Sequence, residues 1–561
     1  MGKTETKSTT LIKVFLIYLL AVAGYAVFVR FFSIPVHVSV DEELYISMAK
    51  SFHYEGVFSK GNNILDYDCV LYSMLLSIAW YVYSPENIMF FLRLIGVCAM
   101  LTSVFPIYLL SSRVLGDKNK AFKVTILSCF LPSMMNVAYC MQEVLSYPLF
   151  LWVVYFVYRE IEEDKICEIS KYTWGVVVLS VAGYFTKTYM IFLPVAYVFL
   201  VSTNVWLEKR IVGLKKIVLY SSFYFILLGI GKRVVLYINE GITGANHYSS
   251  QFAQLFPITE KTIIAAITCM IFYAVALCFY WGVLPVVLPI SNWKMHNKKE
   301  RNLLLFILIS LVVLIAEIVI SIVLTEEGNV IFPHKVLYRY YQILEIPILL
   351  IFYKCYKKYK IPNYIWGIYS FVLGILMVYY IYIGKEQRTA IIDAPLFLLM
   401  ENVNRHIIPY FNILICICCA IFLIVVWKLK KRGIIKNTLK YFIGLMVFGV
   451  GVFFLINLVQ LPLYTNAIAQ GNIIEADAIK IADFCEKNNY DNIYMILSSD
   501  MSYERSINAY LRGEITFLNM EEIEQINQEN SIVICGKDVH LQMNVIEQEI
   551  DTQKVRIYKP K

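Results

Sequence analysis

Residues 303–324 read LLLFILISLVVLIAEIVISIVL, twenty-two positions with one ionisable side chain, Glu317. As a helix this run rises about 33 Å, enough to cross the roughly 30 Å hydrocarbon core of a bilayer. It is apolar all round, where a helix at the surface of a soluble domain shows a polar face. Similar blocks cover 11–32, 88–112, 121–139, 144–158, 172–185, 189–207, 217–231, 262–290, 341–353, 364–383, 407–427 and 441–461. Of the 561 residues, 59% are hydrophobic and 16% charged, against about 25% charged in soluble domains. The expected fold is an all-α polytopic membrane protein of about 13 transmembrane helices with a small C-terminal α/β soluble domain. The first block is too long for a signal-peptide core and has no A-x-A-like site after it, so it reads as an uncleaved span.

Lys and Arg concentrate in alternate loops, at 113–123, 208–216, 294–301, 354–360 and 428–440. The positive-inside rule puts these loops and the N-terminus in the cytoplasm. An odd number of spans then leaves the C-terminal domain outside. Residues 70–83 are apolar, but a crossing there would invert the pattern, so they read as a helix on the outer membrane surface. The membrane part is expected over 1–463, with a long first outer loop at 33–87. Connections of that length are usually functional.

From about 464 the composition changes. Residues 475–561 carry 16 Asp and Glu against 9 Lys and Arg. Strand-like runs at 492–497, 531–535 and 555–558 alternate with helix-like 475–487 and 502–511, the pattern of a small α/β domain over 464–561. It has neither G-x-G-x-x-G nor a P-loop, which speaks against a nucleotide site and for a covering or docking role. The formal charge of +8 is spread among loops, so no nucleic-acid partner is expected. The thirteen Cys show no paired CxxC spacing and read as buried thiols.

The first outer loop holds the most informative stretch, Val40-Asp41-Glu42-Glu43-Leu44-Tyr45-Ile46-Ser47-Met48-Ala49-Lys50. Its acids suit the first turn of a helix, through capping and the dipole. A carboxylate held at a lipid–water boundary also suits a general base acting on a hydroxyl.

Asp41-Glu42, followed by Tyr45, Ala49 and Gly56, resembles the first external loop of GT-C glycosyltransferases that use polyprenyl-phosphate sugars, among them the protein O-mannosyltransferases and lipid A aminoarabinose transferases. The similarity continues in the surface helix at 70–83, in Arg93-Leu94 and Arg113-Val114-Leu115-Gly116, and in Gln142-Glu143 just before a span. It covers about 11–194 and is looser beyond. At 66–70 the chain departs from it, reading DYDCV where many relatives have His-Pro-Pro or similar.

The resemblance implies a membrane glycosyltransferase that moves a sugar from a polyprenyl-phosphate-linked donor to an acceptor on the extracytoplasmic face. The acceptor would be a hydroxyl or amine of a cell-envelope glycan, lipid or protein. Asp41 is the implied base of an inverting displacement, Glu42 the adjacent acid and Glu143 the second acidic position. Arg93, Lys187, Arg339, Tyr340 and Tyr45 are the candidates for the lipid phosphate and substrate. Lys232, Arg233, Lys335, Lys385, Arg388 and Arg405 are further cations on that side. No cofactor is fixed. His37, His53, His247 and His334 show no ligand spacing, so no metal ligands are assigned, and a divalent metal stays open. The competing functions are a lipid-linked glycan flippase or transporter, for which Glu317 is the clearest intramembrane acid, and a glycan polymerase or ligase.

Overall fold

The computed structural model describes residues 7–31, 40–60, 63–239, 259–281, 283–325 and 337–356. In the C-terminal part it describes 465–490, 492–496, 501–513, 515–518, 530–536, 545–548 and 555–560, with a few isolated positions besides. The expected spans at 364–383, 407–427 and 441–461, and the cations Lys335, Lys385, Arg388 and Arg405, lie outside the described residues.

The N-terminal apolar run forms one helix, α1 (Lys7–Phe31), and the acidic stretch forms α2 (Val40–Glu55). A two-stranded hairpin, β1 (Ser59–Lys60) and β2 (Asn63–Ile64), leads to the short α3 (Leu71–Leu76), which a 3-10 turn extends over Ser77–Val82. At roughly 1.5–2 Å per residue these two turns are too short to cross a bilayer. Then come α4 (Ile88–Leu101), α5 (Val104–Leu115), α6 (Lys118–Ser128), α7 (Glu143–Glu162), α8 (Lys171–Thr186), α9 (Phe192–Glu208) and α10 (Val212–Ile238). Helices Glu260–Trp281, Val283–Ser291, Lys298–Thr325 and Glu345–Cys355 follow.

Among the described residues, seven helical segments are long and apolar enough to cross a membrane. They make the chain a multi-pass membrane protein. Two of them, α1 and α10, bury only 22% of their spans and turn Leu16, Leu20, Phe225 and Ile230 outward, as helices facing lipid do. The expected block at 121–139 is not one helix. After α6 the backbone is extended at Leu131, and a 3-10 turn runs over Pro132–Ala138. Proline offers no backbone N–H and disfavours helical geometry in the residue before it. The 172–185 block falls in α8, whose 16 residues reach about 24 Å.

Local chemistry sets the boundaries on the Lys/Arg-rich side. Gly116 closes α5 at φ +67, a left-handed position that suits glycine. Next to it, Asp117 caps α6 by accepting from the backbone N–H groups of Asn119 and Lys120 at 2.9 and 3.1 Å. Ser170 opens α8 with a reciprocal capping box to Thr173. Its hydroxyl also donates to Glu160 Oε1 at 2.7 Å. Glu160 accepts in addition from Tyr197 at 2.6 Å and Lys216 at 2.8 Å, so one buried carboxylate joins α7, α8, α9 and α10.

The C-terminal part is the expected α/β unit. A long helix (Thr465–Asn488) precedes β3 (Asn492–Ile496), and a second helix (Met501–Tyr510) crosses to β4 (Ile515–Leu518). With β5 (Ser531–Gly536), β6 (Val545–Gln548) and β7 (Val555–Pro560), the sheet order is β4-β3-β5-β7-β6. The pairs β3–β4 and β3–β5 are parallel, while β5–β7 and β6–β7 are antiparallel. All ten described cysteines are free thiols, eight of them buried.

This unit docks on the segment between α1 and α4. Lys50 Nζ donates to Asn508 Oδ1 at 3.0 Å and to the carbonyls of Leu511 and Gly513 at 3.5 and 2.9 Å. A cation there complements the C-terminal end of the helix Met501–Tyr510. Arg505 pairs with Glu43 at 3.4 Å, and the Tyr83 hydroxyl donates to the Tyr510 carbonyl at 2.8 Å. Substituting Lys50→Met is expected to loosen the docking without unfolding the membrane part. In detergent, proteinase K should then cut the C-terminal unit several-fold faster; an unchanged rate would mean that Lys50 does not hold it.

Candidate active site

The N-terminal turn of α2 carries Asp41, Glu42 and Glu43, three acids at the positive end of a helix dipole. They turn in different directions. Glu43 meets Lys60 at 2.8 Å and Arg505 at 3.4 Å, both structural contacts. Buried Glu42 accepts from the Cys140 backbone N–H at 2.9 Å. The side chain of Asp41 stays 46% exposed, with Arg339 Nη2 3.5 Å from its carboxylate.

That guanidinium is shared. Arg339 Nε also lies 3.5 Å from Glu143 Oε1, and the same oxygen pairs with Lys187 Nζ at 2.5 Å. Glu143 is the first residue of α7 and its side chain is fully buried. Lys187 stands where α8 ends: its extended backbone (φ −157, ψ 130) stops the helix, and its N–H still closes on the Gly183 carbonyl at 2.8 Å. Arg339 and Tyr340 lie in a 3-10 turn over Tyr338–Tyr340, which Trp281 anchors by donating to the Tyr338 hydroxyl at 3.0 Å. Arg339 Nη2 donates to the Tyr340 hydroxyl at 3.2 Å, and the Tyr340 ring lies 4.7 Å from the Lys187 ammonium. Burial on its own lowers the Lys187 ammonium, but the Glu143 carboxylate and Tyr340 outweigh it and hold that group above its ordinary range.

Five sequence candidates therefore converge: Asp41, Glu143, Lys187, Arg339 and Tyr340. Tyr45 borders them. Its hydroxyl is held well above the ordinary value by burial first, then by Tyr67, Asp41 and Glu143. Glu42 and Arg93 stand on the Cys140 side, where burial and the Glu42 carboxylate raise the Cys140 thiol while Arg93 opposes them. Arg93 also acts on Tyr510 of the C-terminal unit.

Sequence reasoning did not pair Asp68, which accepts from Tyr184 at 2.8 Å and meets Lys232 at 2.8 Å. Nor did it find Tyr67 beside Tyr45. The signal was the DYDCV run at 66–70, where acids and an aromatic residue stand next to each other between α1 and α4.

The cluster sums to two carboxylates against two cations, with cations enough for an anion if Asp41 turns away. Glu143 Oε2 has no hydrogen-bond donor among the described residues. Replacing Glu143 by Gln leaves two buried cations with a weaker partner. We expect the variant to lose about 3–5 kcal/mol of stability and the double variant Glu143→Gln/Lys187→Met to regain part of it. Thermal unfolding in detergent checks this; equal melting of wild type and single variant would rule out a holding role for the pair.

No family model and no curated protein matches this sequence. Among solved structures, the chain is similar to ArnT from Cupriavidus metallidurans bound to undecaprenyl phosphate, at 10% identity and a TM-score of 0.47. It is also similar to ArnT from the same organism in the apo state, at 11% identity and a TM-score of 0.48. Each comparison covers 99% of this chain and 98% of that one.

Proposed function

We propose that the chain is a membrane glycosyltransferase that takes its sugar from a polyprenyl-phosphate-linked donor. The observation that carries this reading is the sharing of Arg339 between an exposed carboxylate, Asp41, and a buried one, Glu143, with Lys187 alongside. An exposed carboxylate next to a fixed pair of cations is what a single displacement from a phosphate leaving group requires. The acceptor oxygen bonds to the anomeric carbon as the bond from that carbon to the phosphate oxygen breaks. The acceptor proton passes to Asp41 and the electron pair leaves with the phosphate, where Lys187 and Arg339 meet the growing charge. One such displacement inverts the anomeric centre. Glu143, fully buried, positions both cations and is not itself the base.

The site faces the extracytoplasmic side in this reading, because Lys187 stands between α8 and α9, and α9 runs from there to the Lys/Arg-rich loop at 208–216. The C-terminal unit then lies outside as well, seated over α2. The acceptor is a hydroxyl or amine of an envelope glycan, lipid or protein, reached from the exposed side of Asp41.

The test is release of free polyprenyl phosphate by reconstituted protein, given a panel of polyprenyl-phosphate sugars and an envelope extract. Wild type should turn over one donor, and Asp41→Asn should be slower by about 10²-fold or more with unchanged folding. Equal rates would reduce Asp41 to a helix-end charge. No turnover with any donor, together with retained binding of lipid-linked glycan, would favour a flippase.

A further inference from the structure

On the Lys/Arg-rich side of the molecule, remote in sequence from Asp41 and Glu143, three donor side chains from separate elements face one another. His296 ends a 3-10 turn (Trp293–Met295) after the helix Val283–Ser291. Glu300 lies in the first turn of Lys298–Thr325, and Cys355 is the last residue of Glu345–Cys355. All three are buried. His296 Nδ1 lies 3.6 Å from Cys355 Sγ and 3.6 Å from Glu300 Oε2, and the three donor atoms are all within 4.8 Å of one another.

At 3.6 Å the His296 nitrogen and the Glu300 oxygen are beyond hydrogen-bond reach, while the Cys355 thiol lies within the longer reach of sulfur to Nδ1. For ligands about 2.0–2.3 Å from a tetrahedral zinc ion, neighbouring donor atoms stand roughly 3.3–3.6 Å apart. The second ring nitrogen adds independent support. His296 Nε2 is 3.1 Å from the Pro289 carbonyl and 3.3 Å from the Tyr359 hydroxyl. A carbonyl can only accept, so Nε2 donates in that bond, and Nδ1 is the ring nitrogen that faces Cys355 and Glu300. A metal-bound histidine typically donates its other N–H to a carbonyl in this way, which fixes ring and tautomer. Leu284, Leu288 and Phe352 pack around the group, with Tyr359 beside the ring and Lys358 close enough to act on Glu300 and Cys355. Glu300 Oε2 also accepts from the Asn297 N–H at 3.1 Å, which holds the carboxylate in place.

We propose that His296, Glu300 and Cys355 bind a divalent transition metal, with zinc the best match to one nitrogen, one oxygen and one thiolate donor. Binding releases the thiol proton to solvent, and water takes the fourth position. The metal ties three helical elements together at one end of Glu345–Cys355; the segment carrying Arg339 and Tyr340 enters that helix at the other end. Its role is structural, and it stands or falls independently of the glycosyltransferase reading.

The test is metal content of the full-length protein, expressed with zinc and purified in detergent without chelator. Wild type and Cys278→Ser should hold about one zinc per chain, and Cys355→Ser should lose it. Cobalt added to chelator-treated wild type should give a thiolate-to-cobalt charge-transfer band that is absent from Cys355→Ser. If Cys355→Ser fails to fold, X-ray absorption of the wild-type zinc decides, since one sulfur ligand supports the site. No zinc above the Cys355→Ser level, no thiolate band, or a zinc without sulfur overturns the proposal.

Discussion

A carboxylate that cannot be left without a partner sits at each end of α7. Glu143 and Glu160 lie seventeen positions apart, about 26 Å along the helix axis, and both are fully buried. Taking a charge out of water is costly enough that each must be met by cations and hydroxyls from other helices. Near Glu160 these come from α8, α9 and α10. Near Glu143 they come from the end of α8 and from the turn at 338–340. The helices of the described membrane part, packed through one continuous apolar core, also have to satisfy both ends at once.

The two ends differ in what they leave over. Glu160 accepts from Ser170, Thr173, Tyr197 and Lys216, so it is saturated and serves the fold. Around Glu143 the cations are shared rather than saturated: Arg339 divides itself between a buried and an exposed acid. Division of that kind leaves a cation able to exchange one partner for another, as a site that receives and releases an anion must. Position on the dipole matters too, since Asp41 and Glu143 both stand in the first turn of a helix, where the backbone N–H groups favour negative charge.

Long apolar runs and the acidic start of α2 were legible in the sequence because both are local patterns. The apolar runs at 11–32, 144–158 and 303–324 make up most of the helices at 7–31, 143–162 and 298–325. Asp41, Glu143, Arg339 and Tyr340 were candidates through resemblance and Lys187 through its place between two short spans; their convergence was not legible, since they come from four distant segments and no spacing links them. What stayed hidden depends on long-range pairing. The pairing of Asp68 with Lys232 and the meeting of His296 with Cys355 span more than fifty residues and leave no period behind. The block at 121–139 misled because hydropathy is blind to Pro132, which breaks the helix while leaving the run apolar. In the small domain, β4 and β6 were missed because four-residue strands carry too few alternations to stand out.

Lys50 reaches Leu511 and Gly513 through main-chain oxygens, and Tyr83 reaches Tyr510 in the same way. A carbonyl is present whatever side chain a position bears. As far as this joint is concerned, residues 510, 511 and 513 can drift freely over generations, while Lys50 and Tyr83 cannot. Asn508 and Arg505 are the exceptions on that side, since they meet Lys50 and Glu43 through their side chains. Divergence in the small domain is thereby channelled away from two positions and left open at its neighbours.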